Sequence, residues 1–181
     1  MKLVVFGLSV SSSWGNGHAV LWRALIRGLA AQGHWTVFFE RDVPYYADNR
    51  DLTDLDGGRL LVYRDWADAA AAARRELRDA DAAIVTSYCP DALAAADLIS
   101  SFPVLRVFYD LDSPVTLARL AAGESVEYIG PDGLAPFDLV LSYAGGAALA
   151  ALRARLGARN VAPLYGCVDP ERYRPAPPPA D

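Results

Sequence analysis

Apolar runs of four to seven residues alternate along the chain with helix-length amphipathic segments, the pattern of βαβ units closing on a mostly parallel sheet. Strands are expected near residues 2–7, 35–40, 59–63, 82–86, 104–109, 137–142 and 161–165. Several are apolar at successive positions, as in Leu3-Val4-Val5-Phe6 and Leu139-Val140-Leu141, which is how strands read when helices cover both sheet faces.

Helices fill the intervals. The first starts near Asn16, places Leu21, Trp22, Leu25, Ile26 and Leu29 on one stripe, and closes at Gly33, a residue suited to a left-handed cap. Ser113-Pro114 pairs a side-chain cap with proline at the first helical position, and Gly123 ends that short helix. Cys89-Pro90-Asp91 opens another helix, Ala67 to Leu77 forms a further one, and Gly145-Gly146 precedes an Ala-rich helix that Gly157 terminates. The expected fold is a three-layer α/β/α sandwich of about seven strands over residues 1–173. Arg174-Pro175-Ala176-Pro177-Pro178-Pro179 reads as a semi-rigid linker over 174–181, leading to a further domain.

Composition narrows the function classes. The chain has 181 residues, 53% of them hydrophobic and 22% charged, which fits one well-buried globular domain. A net charge of -5 argues against nucleic acid as a partner, because phosphate-backbone affinity comes from clustered Lys and Arg. No stretch reaches the ~18 consecutive apolar residues of a membrane span, and the N-terminal apolar run is too brief for a signal peptide. A cytoplasmic location is expected. Cys89 and Cys167 lack CxxC spacing and read as two free thiols.

In open parallel sheets ligands bind outside the carboxyl ends of the strands, so the residues following each strand carry the candidate chemistry. Ser11-Ser12-Ser13-Trp14-Gly15-Asn16-Gly17-His18 follows the first strand, and Glu40-Arg41-Asp42 with Tyr45 and Tyr46 follows the second. Later strands deliver Ser87-Tyr88, Tyr109-Asp110, Ser142-Tyr143 and Tyr165. Hydroxyls and carboxylates for sugar hydroxyls, with flat aromatics for apolar sugar faces, make this a carbohydrate-compatible rim.

The first loop precedes a helix N-terminus and is expected to offer amides to an anion. Gly15-Asn16-Gly17 supplies G-x-G, yet Val20 stands where a dinucleotide fingerprint needs its third glycine, and no Gly-Lys-Ser/Thr occurs. NAD binding and ATP hydrolysis therefore lose their best evidence. His18, one of two histidines, is either a general base at the cleft mouth or a residue that caps the helix or packs on the loop. His34 belongs to the opposite end of the sheet. Trp14 is read as exposed for stacking or locally packed. Asp110-Leu111-Asp112 spells D-x-D, but Asp112 or Ser113 is expected to cap the helix at Pro114, so no metal is assigned. Asp110 is a candidate for binding an acceptor hydroxyl. Candidate catalytic residues are thus His18 and Asp110. Candidate substrate-binding residues are Ser12, Ser13, Trp14, Gly15, Asn16, Gly17, Glu40, Tyr45, Tyr88, Asp112 and Tyr143.

The stretch Gly7 to Asp42, with Gly33-His34 and Phe38-Phe39-Glu40-Arg41-Asp42, resembles glycosyltransferases of the spore-maturation CgeB-like group. Phe108-Tyr109-Asp110-Leu111-Asp112-Ser113-Pro114-Val115, Phe137 to Ser142 and Leu164 to Pro175 are similar to the same group. The resemblance implies a GT-B enzyme with two Rossmann-like domains facing across a cleft, of which this chain is the N-terminal, acceptor-side one. It implies a small-molecule or glycan acceptor, a nucleotide-sugar co-substrate held mainly by a C-terminal donor-binding domain, and no cofactor or metal. In such enzymes a histidine or acid of the N-terminal domain meets the acceptor, at positions matching His18 and Asp110 here. Without the donor half, the chain is expected not to turn over. The alternative is a non-catalytic, ligand-binding or regulatory α/β domain of flavodoxin-like or Rossmann-like type using the same rim.

Overall fold

A computed structural model describes residues 1–176. Seven parallel strands form one sheet: β1 (Lys2–Gly7), β2 (Trp35–Arg41), β3 (Gly58–Tyr63), β4 (Ala82–Thr86), β5 (Leu105–Asp110), β6 (Leu139–Ser142) and β7 (Val161–Pro163), in the order β3-β2-β1-β4-β5-β6-β7. The helices are α1 (Gly17–Ala31), α2 (Pro44–Ala47), α3 (Trp66–Leu77), α4 (Ala92–Ser100), α5 (Ser113–Ala121) and α6 (Ala147–Leu156). The chain is a Rossmann-like three-layer α/β fold, as its apolar periodicity predicts. The strand at 137–142 begins two residues later than expected, and the last one ends at Pro163. The short α2 had no counterpart in the apolar pattern.

Alternation along the strands splits the core in two. Val5, Phe38, Ile84, Val107 and Tyr109 face α1 and pack on Trp22 and Ile26. Val4, Phe6, Val37, Phe39, Val85, Phe108 and Val140 face the opposite way, against Ala73 and Leu77 of α3, Ala95 and Ile99 of α4, Leu117 of α5 and Leu152 of α6. This division follows from right-handed crossovers: connections running from β1 toward β3 lie on one face, and those running from β4 toward β7 on the other. The strand order therefore reverses between β1 and β4, opening a crevice at their carboxyl ends. Register sets the level of that edge, with Gly7 beside Glu40, Thr86 beside Tyr109 and Asp110 beside Ser142.

After β7 the chain turns back across α1. The Tyr109 hydroxyl donates to the Leu164 carbonyl at 2.7 Å, and Arg27 of α1 pairs with the nearly buried Asp169. The linker expected over 174–181 falls mostly outside the described residues; residues 174–176 are irregular and exposed. Among the described residues no helix is long and apolar enough to cross a membrane.

Candidate functional site at the strand-order reversal

The crevice brings together His18 from the first turn of α1, Tyr88 from the end of β4, and Asp110 and Asp112 from the end of β5. His18 Nε2 lies 3.8 Å from Asp112 Oδ2. Its ring stacks on Tyr88 with centroids 5.8 Å apart, and the Tyr88 hydroxyl donates to the same Asp112 oxygen at 3.2 Å. Tyr88 is the one non-glycine residue with positive φ (64°) among the described residues. For a bulky side chain that conformation costs about 1–3 kcal/mol and persists where surrounding contacts over-determine it. Here those contacts are His18, Asp112 and Tyr128, whose ring lies 5.1 Å away.

Asp112 or Ser113 was expected to cap α5, and neither does: the helix has no side-chain cap, and the Ser113 hydroxyl is spent on Ser142, 2.7 Å away. Ser113 takes a partner 29 residues distant, and the half-exposed Asp112 carboxylate turns toward His18 and Tyr88. Nor does His18 cap α1. It sits inside the helix, with Nδ1 enclosed and unpartnered, so Nε2 is the ring atom open to a ligand. Burial pushes the imidazole pKa below 6.5, and the Asp112 carboxylate opposes that shift without reversing it. At neutral pH the ring is uncharged, and in the tautomer with its hydrogen on Nδ1 it can accept a proton at Nε2.

Asp110 lies beneath this pair with no solvent exposure. Oδ1 accepts the Asp112 amide and the Thr116 hydroxyl, both at 3.1 Å, while Oδ2 has no partner. Burial raises its pKa, and those hydrogen bonds only partly offset the effect. Since Oδ1 already accepts two donors, Oδ2 is the oxygen that carries a proton when the group is neutral. The Thr116 hydroxyl proton is committed to Asp110, so Tyr128 is the donor in the 2.8 Å bond between their hydroxyls. Tyr128, Thr116 and Asp110 thus form a directed chain under the His18–Tyr88–Asp112 surface. Thr116 and Tyr128 escaped sequence analysis because nothing in their spacing marks them; one is a helix residue and the other lies in the irregular 122–138 segment.

Most of the β1–α1 loop is laced internally, and only part of it is open to an anion. Glu40, fully buried at the end of β2, accepts the amides of Val10 and Ser11 at 2.7 and 2.9 Å, and also the hydroxyls of Ser9 and Ser11. Ser12 donates to the Asn49 carbonyl, Asn16 to the carbonyls of Ser9 and Ser12, and Ser13 to Asp51. The Ser13 and Trp14 amides are taken by Asp51 and the Ser12 hydroxyl. Asp51 is itself held well below the usual carboxylate range, chiefly by the Arg23 guanidinium and then by Ser13. Ser12, Ser13, Asn16 and Glu40 are therefore the loop's internal lacing. Between Val10 and His18, the amides left outside that lacing are those of Gly15, Gly17 and His18.

The remaining expected residues lie on the outer rim. Trp14 is 61% exposed and Tyr45 56%, with the Tyr45 hydroxyl over Gly15, whose φ is +57°. Tyr143, on the far side of His18, packs its ring against Gly166. The two thiols are free; Cys89 is buried and its pKa is raised to about 12, so it is no nucleophile at neutral pH. His34 meets the N-terminal amine at 3.1 Å, at the opposite end of the sheet. Comparison with family models, curated proteins and solved structures finds no match for this chain.

Proposed function

We propose that the chain is the acceptor-side half of a GT-B glycosyltransferase, moving a sugar from a nucleotide-sugar donor to an acceptor hydroxyl. The observation that carries the reading is the His18–Asp112 pair at the reversal of strand order, an uncharged imidazole with a carboxylate 3.8 Å from its open nitrogen. The acceptor hydroxyl gives its proton to His18 Nε2 as its oxygen bonds to the sugar carbon. The bond from that carbon to the diphosphate breaks, and its electron pair leaves with the diphosphate. Asp112 stabilises the imidazolium that forms, and Tyr88 holds Asp112 in place. The amides of Gly15, Gly17 and His18, at the positive end of α1, face developing negative charge. The CgeB-like resemblance assigns most diphosphate contacts to a C-terminal donor-binding domain. The aromatic and hydroxyl rim of Trp14, Tyr45 and Tyr143 suits a small-molecule or glycan acceptor.

A nicotinamide-dependent role is weakened further by Glu40. An acid at this position grips the cofactor ribose in dinucleotide-binding folds, but here it is enclosed and fully engaged with the loop. One observation favours the second reading, a non-catalytic ligand-binding domain: the lacing of the loop leaves few amides for a diphosphate. Calorimetric titration of the complete gene product with UDP-sugars, GDP-sugars, NADH and NADPH separates these. The transferase reading expects binding of one nucleotide sugar and its transfer to a hydroxyl acceptor. Preference for NAD(P)H would overturn it, and nucleotide-sugar binding without transfer would favour the binding domain.

A further inference from the structure

We infer that the acceptor carries an apolar group, a ring or short branched alkyl chain, and that this group seats in a pocket beside His18; the inference rests on the transferase reading above. The pocket holds about 90 Å³ and is walled by Leu21, Trp22 and Leu25 of α1, Leu111 after β5, and Leu164 and Gly166 after β7. Its place in the fold ties it to the site. Leu21, Trp22 and Leu25 follow His18 at helical spacings of three, four and seven, so they share its face of α1. Leu111 immediately precedes Asp112. A molecule in the pocket therefore lies about one helical turn along α1 from the His18–Asp112 pair.

The pocket's chemistry selects the ligand class. Of its polar wall groups, the Tyr109 hydroxyl donates to the Leu164 carbonyl and the Cys167 thiol faces the Leu21 carbonyl at 3.9 Å, which leaves the exposed Tyr165 hydroxyl at the rim. What remains is mostly hydrocarbon and aromatic surface, which gains from an apolar guest and offers a sugar's hydroxyls few partners. An engineered apolar cavity of about 150 Å³ takes benzene, so a space of this size, open on one side, admits part or all of such a ring. Gly166 keeps the wall thin, because a Cβ there would stand 2.6 Å from the Tyr143 ring and 2.9 Å from Leu21 Cδ2.

The test uses the 181-residue chain with labelled leucine methyls and His18, titrated with benzyl alcohol, toluene and glycerol by NMR. Benzyl alcohol and toluene are expected to shift Leu21, Leu25, Leu111 and Leu164 with a dissociation constant of about 1 mM. Benzyl alcohol, unlike toluene, also shifts the His18 ring, and glycerol shifts neither set. Cys167→Phe, at an exposed position on the pocket wall, and Leu25→Phe should each weaken binding at least tenfold. Scattered shifts, equal response to glycerol, or unchanged binding in both variants would overturn the inference. So would a concentration-dependent dimer that Cys167→Phe converts to monomer, since a second copy would then be the occupant. Transfer to purely polar acceptors without benzyl alcohol binding would sink the pocket inference and leave the transferase reading intact. Benzyl alcohol binding in a complete protein without nucleotide-sugar affinity would remove the pocket's assignment to an acceptor.

Discussion

Glu40 and Ser11 are joined twice, the carboxylate accepting both the amide and the hydroxyl of the serine from a fully buried position at the end of β2. The acid expected to meet a ligand instead fixes the β1–α1 loop. Glu40→Gln keeps the volume but replaces one acceptor oxygen with an NH₂ group, so at least one loop donor loses its partner. The expected cost is about 3 kcal/mol, since bonds to a charged acceptor are each worth roughly 1.5–3 kcal/mol and stranded donors add to the loss. A urea midpoint within error of the wild type would refute the clasp.

The His18 ring has a folded pKa below its unfolded value of 6.5, with burial as the main cause. A histidine held neutral contributes stability that is fully present above the unfolded pKa and declines as pH falls toward the folded one. Ring-proton NMR should show His18 titrating below 6.5. Asp112→Asn removes the charge that favours the imidazolium and should move the midpoint lower still; a rise in that variant would show that Asp112 does not act on the ring.

For Asp110 the sign is reversed. Its folded pKa lies above 3.8, so its contribution is fully present below 3.8 and is lost as pH rises through the folded value. Asp110→Asn removes an ionisable group from a buried position and should leave stability at neutral pH unchanged or raised, while Thr116→Val takes one of two donors from Asp110 Oδ1, strands the Tyr128 hydroxyl and should cost about 2 kcal/mol. Thermal melts at pH 4 and pH 7 check both. A loss above 2 kcal/mol for Asp110→Asn at pH 7 would mean that the carboxylate is needed in its charged form.

Two glycines should respond differently to alanine. At Gly133, with φ +62°, an added Cβ would meet the Leu156 carbonyl oxygen at 2.5 Å, and backbone cannot yield easily. At Gly166 the obstacles are the ends of the Tyr143 and Leu21 side chains, and Tyr143 is 42% exposed and free to turn. Gly133→Ala should therefore cost about 2–3 kcal/mol and Gly166→Ala about 1 kcal/mol or less. Equal losses in denaturant titrations would contradict the contrast.

The seven strands were legible because parallel strands buried on both faces write themselves as apolar runs such as Leu3 to Phe6. Trp22 was legible as core from its helical stripe. The site was legible only as a set of strand ends: His18, Tyr88, Asp110 and Asp112 each follow a strand, and the fold gathers them. What those side chains do there depends on partners far away in sequence. Ser113 abandons its local capping role for Ser142, Glu40 turns inward to a loop 29–31 residues earlier, and Tyr128 reaches Asp110 only through Thr116. Local pattern carries helix and strand well, but it does not specify which long-range polar pairing wins.

The central claim is that His18 takes the acceptor's proton. The direct measurement is the rate of sugar transfer by the complete gene product and its His18→Ala variant, with nucleotide-sugar donor varied at saturating acceptor. The account predicts a loss of about 10²- to 10⁴-fold in kcat, the usual range for a removed general base, with the donor KM little changed. Turnover within a factor of three of the wild type would contradict it and reduce His18 to a structural residue of α1.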